Sequence, residues 1–367
     1  MLNIKLIAMA AGFVGLFGLV GCQQQTSNTN ATVNVSSAAT ASAYSSGGSV
    51  ATTDYAYSDA QPDNVNLDLV MTLEDAARFE NRIGIGAPLK RVTRYVGKTR
   101  REAIKLIVSE LDNYQDDFLW PDWVNNVTPI SFFERAKKRN RFYCGESMFE
   151  DSLRMELSKK LLVSNTPQFE RLFLVWLDHF SVEFKAYSQS HAYAEHMRLI
   201  RENSSGSFID LLVNVVNDPG LIVYLNNDSS TAKKPNENLA REFLELFSLG
   251  EGKYNEKDIK TLAKVIAPYG INFVSEKPNW FSSKASGREF KAFGQSYKNF
   301  NEFVELISNR ADFGEMIAKK FYREFVSVKP PKPNDIAIIM SAFRKSGFSI
   351  PKLFEATISL GSFWSEE

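Results

Sequence analysis

Cysteine is nearly absent: the 367 residues include two, so this chain alone can build neither a disulfide framework nor a four-thiolate zinc site. Histidine is almost as scarce, with three, which leaves little room for an all-imidazole metal centre. Neither sign of charge is in excess. The 43 Lys and Arg balance the 43 Asp and Glu, so long-range attraction to a phosphate backbone is not a property of the whole molecule, and no nucleic-acid partner is expected. The sequence has no phosphate-cradling Gly loop, nucleophile elbow or zinc-protease helix. It has no fixed-period repeat, and no Pro/Gly/Ser-rich linker divides residues 64 to 367. What the chain has in quantity is core material. Apolar residues make up 44% against 23% charged, and 28 Phe and 13 Tyr exclude global disorder.

The apolar run from Leu6 to Val20 falls short of the roughly 20 residues that span a bilayer, and reads as the hydrophobic part of a secretory signal behind Lys5. The Leu19-Val20-Gly21-Cys22 that closes it resembles the lipobox of bacterial lipoproteins. The resemblance implies removal of a signal peptide, residues 1–21, and acylation of Cys22 as the first mature residue. Residues 23 to 62 are small and polar, without Lys or Arg, and cannot bury enough apolar area to offset chain ordering. Residues 22–63 therefore read as a lipidated Cys and a disordered tether, with a root-mean-square reach of roughly 35 Å. Acyl carbons, each worth about 0.8 kcal/mol when buried, would hold the protein to a membrane without a transmembrane helix. Gln23 stands where Asp tends to retain lipoproteins at the inner membrane, and that sorting pattern implies the outer membrane.

From residue 64 to 367 the pattern predicts one mainly α body of about eleven helices. Capping residues followed three positions later by an acid recur as Thr72/Asp75, Thr99/Glu102, Ser131/Glu134, Ser147/Glu150, Asn255/Asp258 and Asp312/Glu315, each expected to open a helix. Thr166-Pro167 adds a cap with proline at the first helical position. Ile104, Ile107, Val108 and Leu111 form one helical stripe, and Phe169, Leu172, Phe173, Trp176 and Phe180 another. The stretch 271–293, punctuated by Pro278, Ser286 and Gly287, suggests a small β-hairpin.

A dense set of residues then carries a second resemblance. Arg201-Glu202, Gly206, Phe208, Asp218-Pro219, Tyr224-Leu225, Pro235-Asn236-Glu237-Asn238, Ala240-Arg241-Glu242, Glu245-Leu246-Phe247, Leu249-Gly250 and Tyr254 resemble the core signature of the bacterial family known as domain of unknown function 1800. Arg82, Gly84, Gly86, Ala87, Trp176, His179-Phe180, Lys320, Arg323 and Phe325 agree with it. The resemblance implies an exported protein, encoded in many cases beside an uncharacterised sulfatase-like exported family, and no defined reaction or cofactor. This chain departs from the family pattern. Asn203 replaces a His, Asn226 an Asp and Glu324 another His. Ala267-Pro268-Tyr269 replaces Thr-Gly-Trp, and a His-Asp pair is missing around Lys284 to Lys291.

Within the signature, Asn236 is expected to cap a helix running to Ser248, with Gly250 as its stop and Leu239, Phe243, Leu246 and Phe247 as its buried stripe. At about 100° per residue, Asn238, Glu242 and Glu245 share a face, with Arg241 alongside. Three readings follow. The face could bind a hard cation through Glu242, Glu245 and Asp258, or use Glu237 as acid or base beside Arg241. It could be a solvated face with i, i+4 pairs from Glu237 to Arg241 and Arg241 to Glu245. It could also be a buried network in which Arg241 and Glu242 fix the core. His179, between Trp176 and Phe180, reads as a satisfied core histidine before a ligand or base. His191 and His196, five apart, do not share a helix face. Cys144 reads as a small buried hydrophobe, and the basic clusters 98–101 and 135–141 as solvated faces. The reading that results is a lipid-anchored binding or assembly module of the cell envelope, its partner an exported sulfatase-like protein or a surface glycan. The alternative is an envelope enzyme, with or without a metal, built on the Asn-Glu-Asn-x-Ala-Arg-Glu helix.

Overall fold

A computed structural model describes residues 65–125, 139–182, 190–231, 233–272, 277–280 and 289–365. The expected signal, Cys22, Gln23, the tether and the Ser131/Glu134 cap lie outside them, as do the side chains of Cys144 and of the 135–141 cluster.

The described residues are mainly α, with sixteen α-helices. The surplus over eleven comes from short helices of four to six residues, such as Leu89–Val92 and Gly361–Trp364. Local chemistry sets many of the starts. Thr72 with Asp75, Thr99 with Glu102 and Asn255 with Asp258 form reciprocal capping boxes that open Leu73–Ile83, Arg100–Asp112 and Glu256–Ile266. Pro167 occupies the first turn of Pro167–His179, although the Thr166 side chain makes no capping bond.

Two expected starts are corrected. Ser147 and Glu150 lie inside the long Arg139–Val163 helix and do not open one. Asp312 does not cap Glu315–Phe321 either: Gly314 does, in the left-handed conformation at φ 89°, while Asp312 pairs with Arg310 at 2.8 Å.

Helix starts are also tied to one another. An isolated antiparallel bridge joins Ser207 to Ser349, the caps of Phe208–Val215 and Ile350–Ile358, through Phe208 N to Phe348 O and Ile350 N to Gly206 O, both 2.9 Å. A second bridge joins Val70 to Thr99.

The core is aromatic. Both predicted stripes are buried, and Trp176 lies among Phe180, Phe208 and Phe321 with ring centres 5.5 to 6.3 Å apart. Phe208 continues to Phe313 and Phe343, which converge on Phe348. The 271–293 stretch contributes to two hairpins instead of one. Tyr269–Asn272 pairs antiparallel with Lys277–Trp280, and Phe290–Ala292 with Gln295–Tyr297. The second hairpin turns at Phe293 and Gly294, both at positive φ, and rests Tyr297 on Phe303. No helix among the described residues is long and apolar enough to cross a membrane.

Candidate functional site

The signature segment begins in a loop that its own side chains organise. Asn226 adopts the left-handed conformation at φ 57°, where Asn is among the most tolerant residues. Its carbonyl accepts from Asn236 Nδ2 at 2.9 Å, and Asn236 N donates to Ser230 Oγ at 3.0 Å. Asn236 Oδ1 then accepts from Asn238 N at 2.9 Å, so Asn236 organises the helix start from one position before the cap residue, Glu237.

From there the expected helix changes type. Residues Asn238–Glu242 are α, and Phe243–Ser248 are a π-helix. Leu239, Phe243 and Phe247 are inside as expected; the wider turn adds Leu244 and Ser248 to the buried side, and Leu246, expected inside, is 52% exposed. Ser248 Oγ donates to Phe243 O at 2.6 Å, and Gly250, at φ 95°, donates its N–H to Leu244 O at 3.0 Å and ends the helix.

This brings some of the candidate residues together and parts others. Asn238 is exposed, and Glu237, Arg241, Glu242 and Glu245 are half-buried, so Arg241 and Glu242 do not form the core network that was one of the readings. Arg241 holds Glu256 in a two-pronged pair at 2.8 and 3.2 Å and stands 3.7 Å from Glu237. The expected Arg241 to Glu245 pair is not formed. Glu245 Oε2 instead accepts from Tyr254 Oη at 2.8 Å. Glu242 has no hydrogen-bond or ion-pair partner among the described residues. Partial burial, and then the neighbouring Glu245 carboxylate, raise its pKa above the ordinary carboxyl range. Asp258 is 3% exposed, its oxygens taken by Asn255 N at 3.0 Å and Phe293 N at 3.4 Å, and no cluster of three such ligands occurs among the described residues. The structure thus does not assemble Glu242, Glu245 and Asp258 as one ligand set.

His179 has a structural position. Its Nε2 donates to Phe247 O at 3.2 Å, and its ring lies against Trp176, Phe180 and Phe247. Burial, and then the nearby Lys320, push its pKa down to about 3, so the ring is neutral at ordinary pH and satisfies a carbonyl at the end of the π-helix.

Two buried polar centres escaped the sequence reading. His196, fully buried, directs Nδ1 to Asp218 Oδ2 at 2.5 Å, and Asp218 Oδ1 accepts from Gly220 N at 2.8 Å at the start of Pro219–Tyr224. Gly220 is required here because a Cβ would stand 2.9 Å from His196 Cβ. Arg201, recognised only as part of the signature, is buried with Glu170 at 2.8 Å, Asp116 at 2.8 Å and Tyr114 Oη at 3.1 Å. Its guanidinium also lies over the rings of Phe118, Phe169 and Phe173. An Arg-Glu pair in sequence was legible, but partners 31 and 85 positions away were not.

The model of a family described as protein of unknown function (DUF1800) matches residues 78–367, and the chain belongs to that family. No curated protein matches the chain. No solved structure matches it.

Proposed function

We propose that this member of the family is a lipid-anchored protein of the cell envelope that binds a partner through the face formed by Asn238, Arg241, Glu242 and Glu245. The observation that carries this reading is Glu242: a half-buried carboxylate beside a second one, offset only in part by Arg241 and with no hydrogen-bond or ion-pair partner among the described residues. Like charges held together destabilise the isolated protein, and a cationic or hydroxyl-rich partner would relieve that repulsion. Leu246, turned outward by the π-helix, adds apolar contact next to the acids. The partner is an exported protein of the sulfatase-like kind, or a surface glycan. Cys22 carries the acyl anchor, residues 22–63 form the tether, and Gln23 directs the protein to the outer membrane. The test is recovery of partners from envelope extracts by the tagged, lipidated chain, beside its Glu242→Lys/Glu245→Lys variant. The variant is expected to lose a partner that the parent recovers; equal recovery by both refutes the reading.

A second reading is an envelope enzyme in which Glu242, whose raised pKa suits a proton donor, acts as a general acid, with Glu237 or Glu245 as the companion carboxylate. Turnover of an envelope glycan that Glu242→Gln abolishes, with partner recovery intact, would favour it.

A further inference from the structure

Away from the signature segment, the Leu73–Ile83 helix, the start of Arg100–Asp112 and residues 363–365 enclose a cleft of about 290 Å³. Asp75, Arg78, Arg82, Arg100 and Trp364 line it. Three guanidiniums thus face one carboxylate, and that carboxylate is engaged: Asp75 Oδ2 accepts from Thr72 N at 3.1 Å and Thr72 Oγ1 at 2.7 Å. The sequence reading took the 98–101 cluster as a solvated face. Arg101 does face solvent, paired with Asp68 at 2.8 Å. Arg100 turns the other way, with its guanidinium over the Trp364 ring at 4.5 Å. That ring is itself fixed, stacked on Phe79 at 5.2 Å and donating through Nε1 to Ile358 O at 2.9 Å. A guanidinium gripped by its face can still donate through its in-plane N–H groups, and Arg100 Nε has no acceptor among the described residues. Arg82 is set by the preceding residue, over the Phe363 ring at 5.3 Å and donating through Nη1 to Phe363 O. Arg78 is at the rim, 3.5 Å from Glu74 and 3.7 Å from Asp75.

Other arginines of this half of the fold have a carboxylate close by, as Arg91 has Glu80 at 2.9 Å and Arg201 has Glu170 at 2.8 Å. Among the described residues, Arg82 and Arg100 have none at that distance. Burial, together with the nearby Arg78, lowers the pKa of both, with Asp75 opposing at Arg100.

We propose that this cleft is a binding site for the oxyanion of a small ligand, a phosphate, sulfate or carboxylate group, with Arg100 and Arg82 as in-plane donors and Arg78 as a rim charge. Planar guanidiniums match two oxygens of such a group at once. The volume, near the lower end of ligand pockets, also admits a small body attached to the oxyanion.

Calorimetric titration of the full chain with inorganic phosphate, sulfate and acetate at constant ionic strength tests the proposal. Saturable binding is expected for at least one probe, and the tightest of the three names the group. Arg100→Gln and Arg82→Gln are expected to weaken it by about tenfold or more, since each removes a charge-assisted hydrogen bond. Arg82→Lys, which keeps the charge and loses the fork, should fall between, and gives a reading if Arg100→Gln fails to fold. Arg101→Gln and Glu242→Lys should bind as the parent does. Absence of saturable binding, or equal weakening by Arg101→Gln, overturns the proposal. So does binding that emerges only when Glu366 and Glu367 are replaced by glutamine, which would give the cleft to the chain's own acidic residues.

Discussion

Arg201→Met is expected to cost more stability than any single change at the signature face. Glu170 and Arg201 are both fully buried, so removing the guanidinium leaves a carboxylate in the core with Ser164 Oγ at 3.5 Å and Lys160 at 4.0 Å as its remaining company. Breaking a buried pair by deleting one partner costs about 3–5 kcal/mol, because the other charge stays behind uncompensated. Methionine restores part of the packing against Phe118, Phe169 and Phe173 but none of the charge. Set against a total stability of about 5–15 kcal/mol, the loss is visible as a melting temperature lower by roughly 6–20 °C. Urea unfolding followed by circular dichroism measures it. Adding Glu170→Gln should restore at least about 1 kcal/mol relative to Arg201→Met alone, because a neutral amide is cheaper to leave in the core than a lone carboxylate. A loss below about 1 kcal/mol for Arg201→Met, or a double variant no better than the single, would refute the argument that this ion cluster holds the Pro167–His179 and Ser190–Asn203 helices together.

The titration of His179 gives a second prediction. A histidine whose folded pKa is about 3, below its unfolded value near 6.5, takes up its proton in the unfolded chain first, so stability is lost as pH falls from 6.5 toward 3. The urea midpoint of the parent should therefore fall between pH 7 and pH 5 by the equivalent of roughly 1–2 kcal/mol more than that of His179→Phe, and equal slopes would count against it. Glu242 has the opposite sign: a folded carboxyl pKa above the unfolded one makes stability fall as pH rises through that window. Glu242→Gln is accordingly expected to raise stability at pH 7 by a few tenths of a kcal/mol, read as a higher urea midpoint, while reducing partner recovery. Cys22→Ser should move the protein from the membrane fraction to the soluble one, and intact membrane fractionation would remove the acyl anchor from the proposal.

How much of this was legible in the sequence depended on the range over which the physics acts. Capping boxes are decided within four residues, and Thr72, Thr99 and Asn255 read correctly for that reason. Asp312 failed because its side chain found Arg310 and a glycine two residues later could supply the left-handed turn. Ser147 failed because the modest interior cost of a serine is outweighed in a 25-residue helix that already has a start. The stripe ending in Phe180 held because its helix is regular throughout. Of the stripe through Leu246, Leu239, Phe243 and Phe247 are buried as expected and Leu246 is not, since the π-helix shifts which residues meet the core. For the site, the sequence put Asn238, Glu242 and Glu245 on one face and paired Arg241 with Glu237, which stands 3.7 Å away, but it also paired Arg241 with Glu245 and missed Glu256. Glu256 lies on the next helix, beyond the reach of any periodicity argument.

The polar residues that depart from the pattern implied by the resemblance each have a local partner. Asn203, where the resemblance implies a His, donates to Leu199 O at 2.8 Å and accepts from Asn214 at 3.0 Å. Asn226 takes the left-handed position that lets Asn236 reach its carbonyl. Glu324, in place of a further His, neutralises Arg171 at 2.7 Å. Tyr269, in place of Trp, opens the first hairpin and offers its carbonyl to Asn227 at 2.7 Å. A group already committed to a local partner is poorly placed to take up a substrate proton, since the commitment would first have to be broken. Glu242, half-buried, carries no such commitment among the described residues. On the proposed reading, Glu242 is therefore the carboxylate of the signature helix left open to a partner.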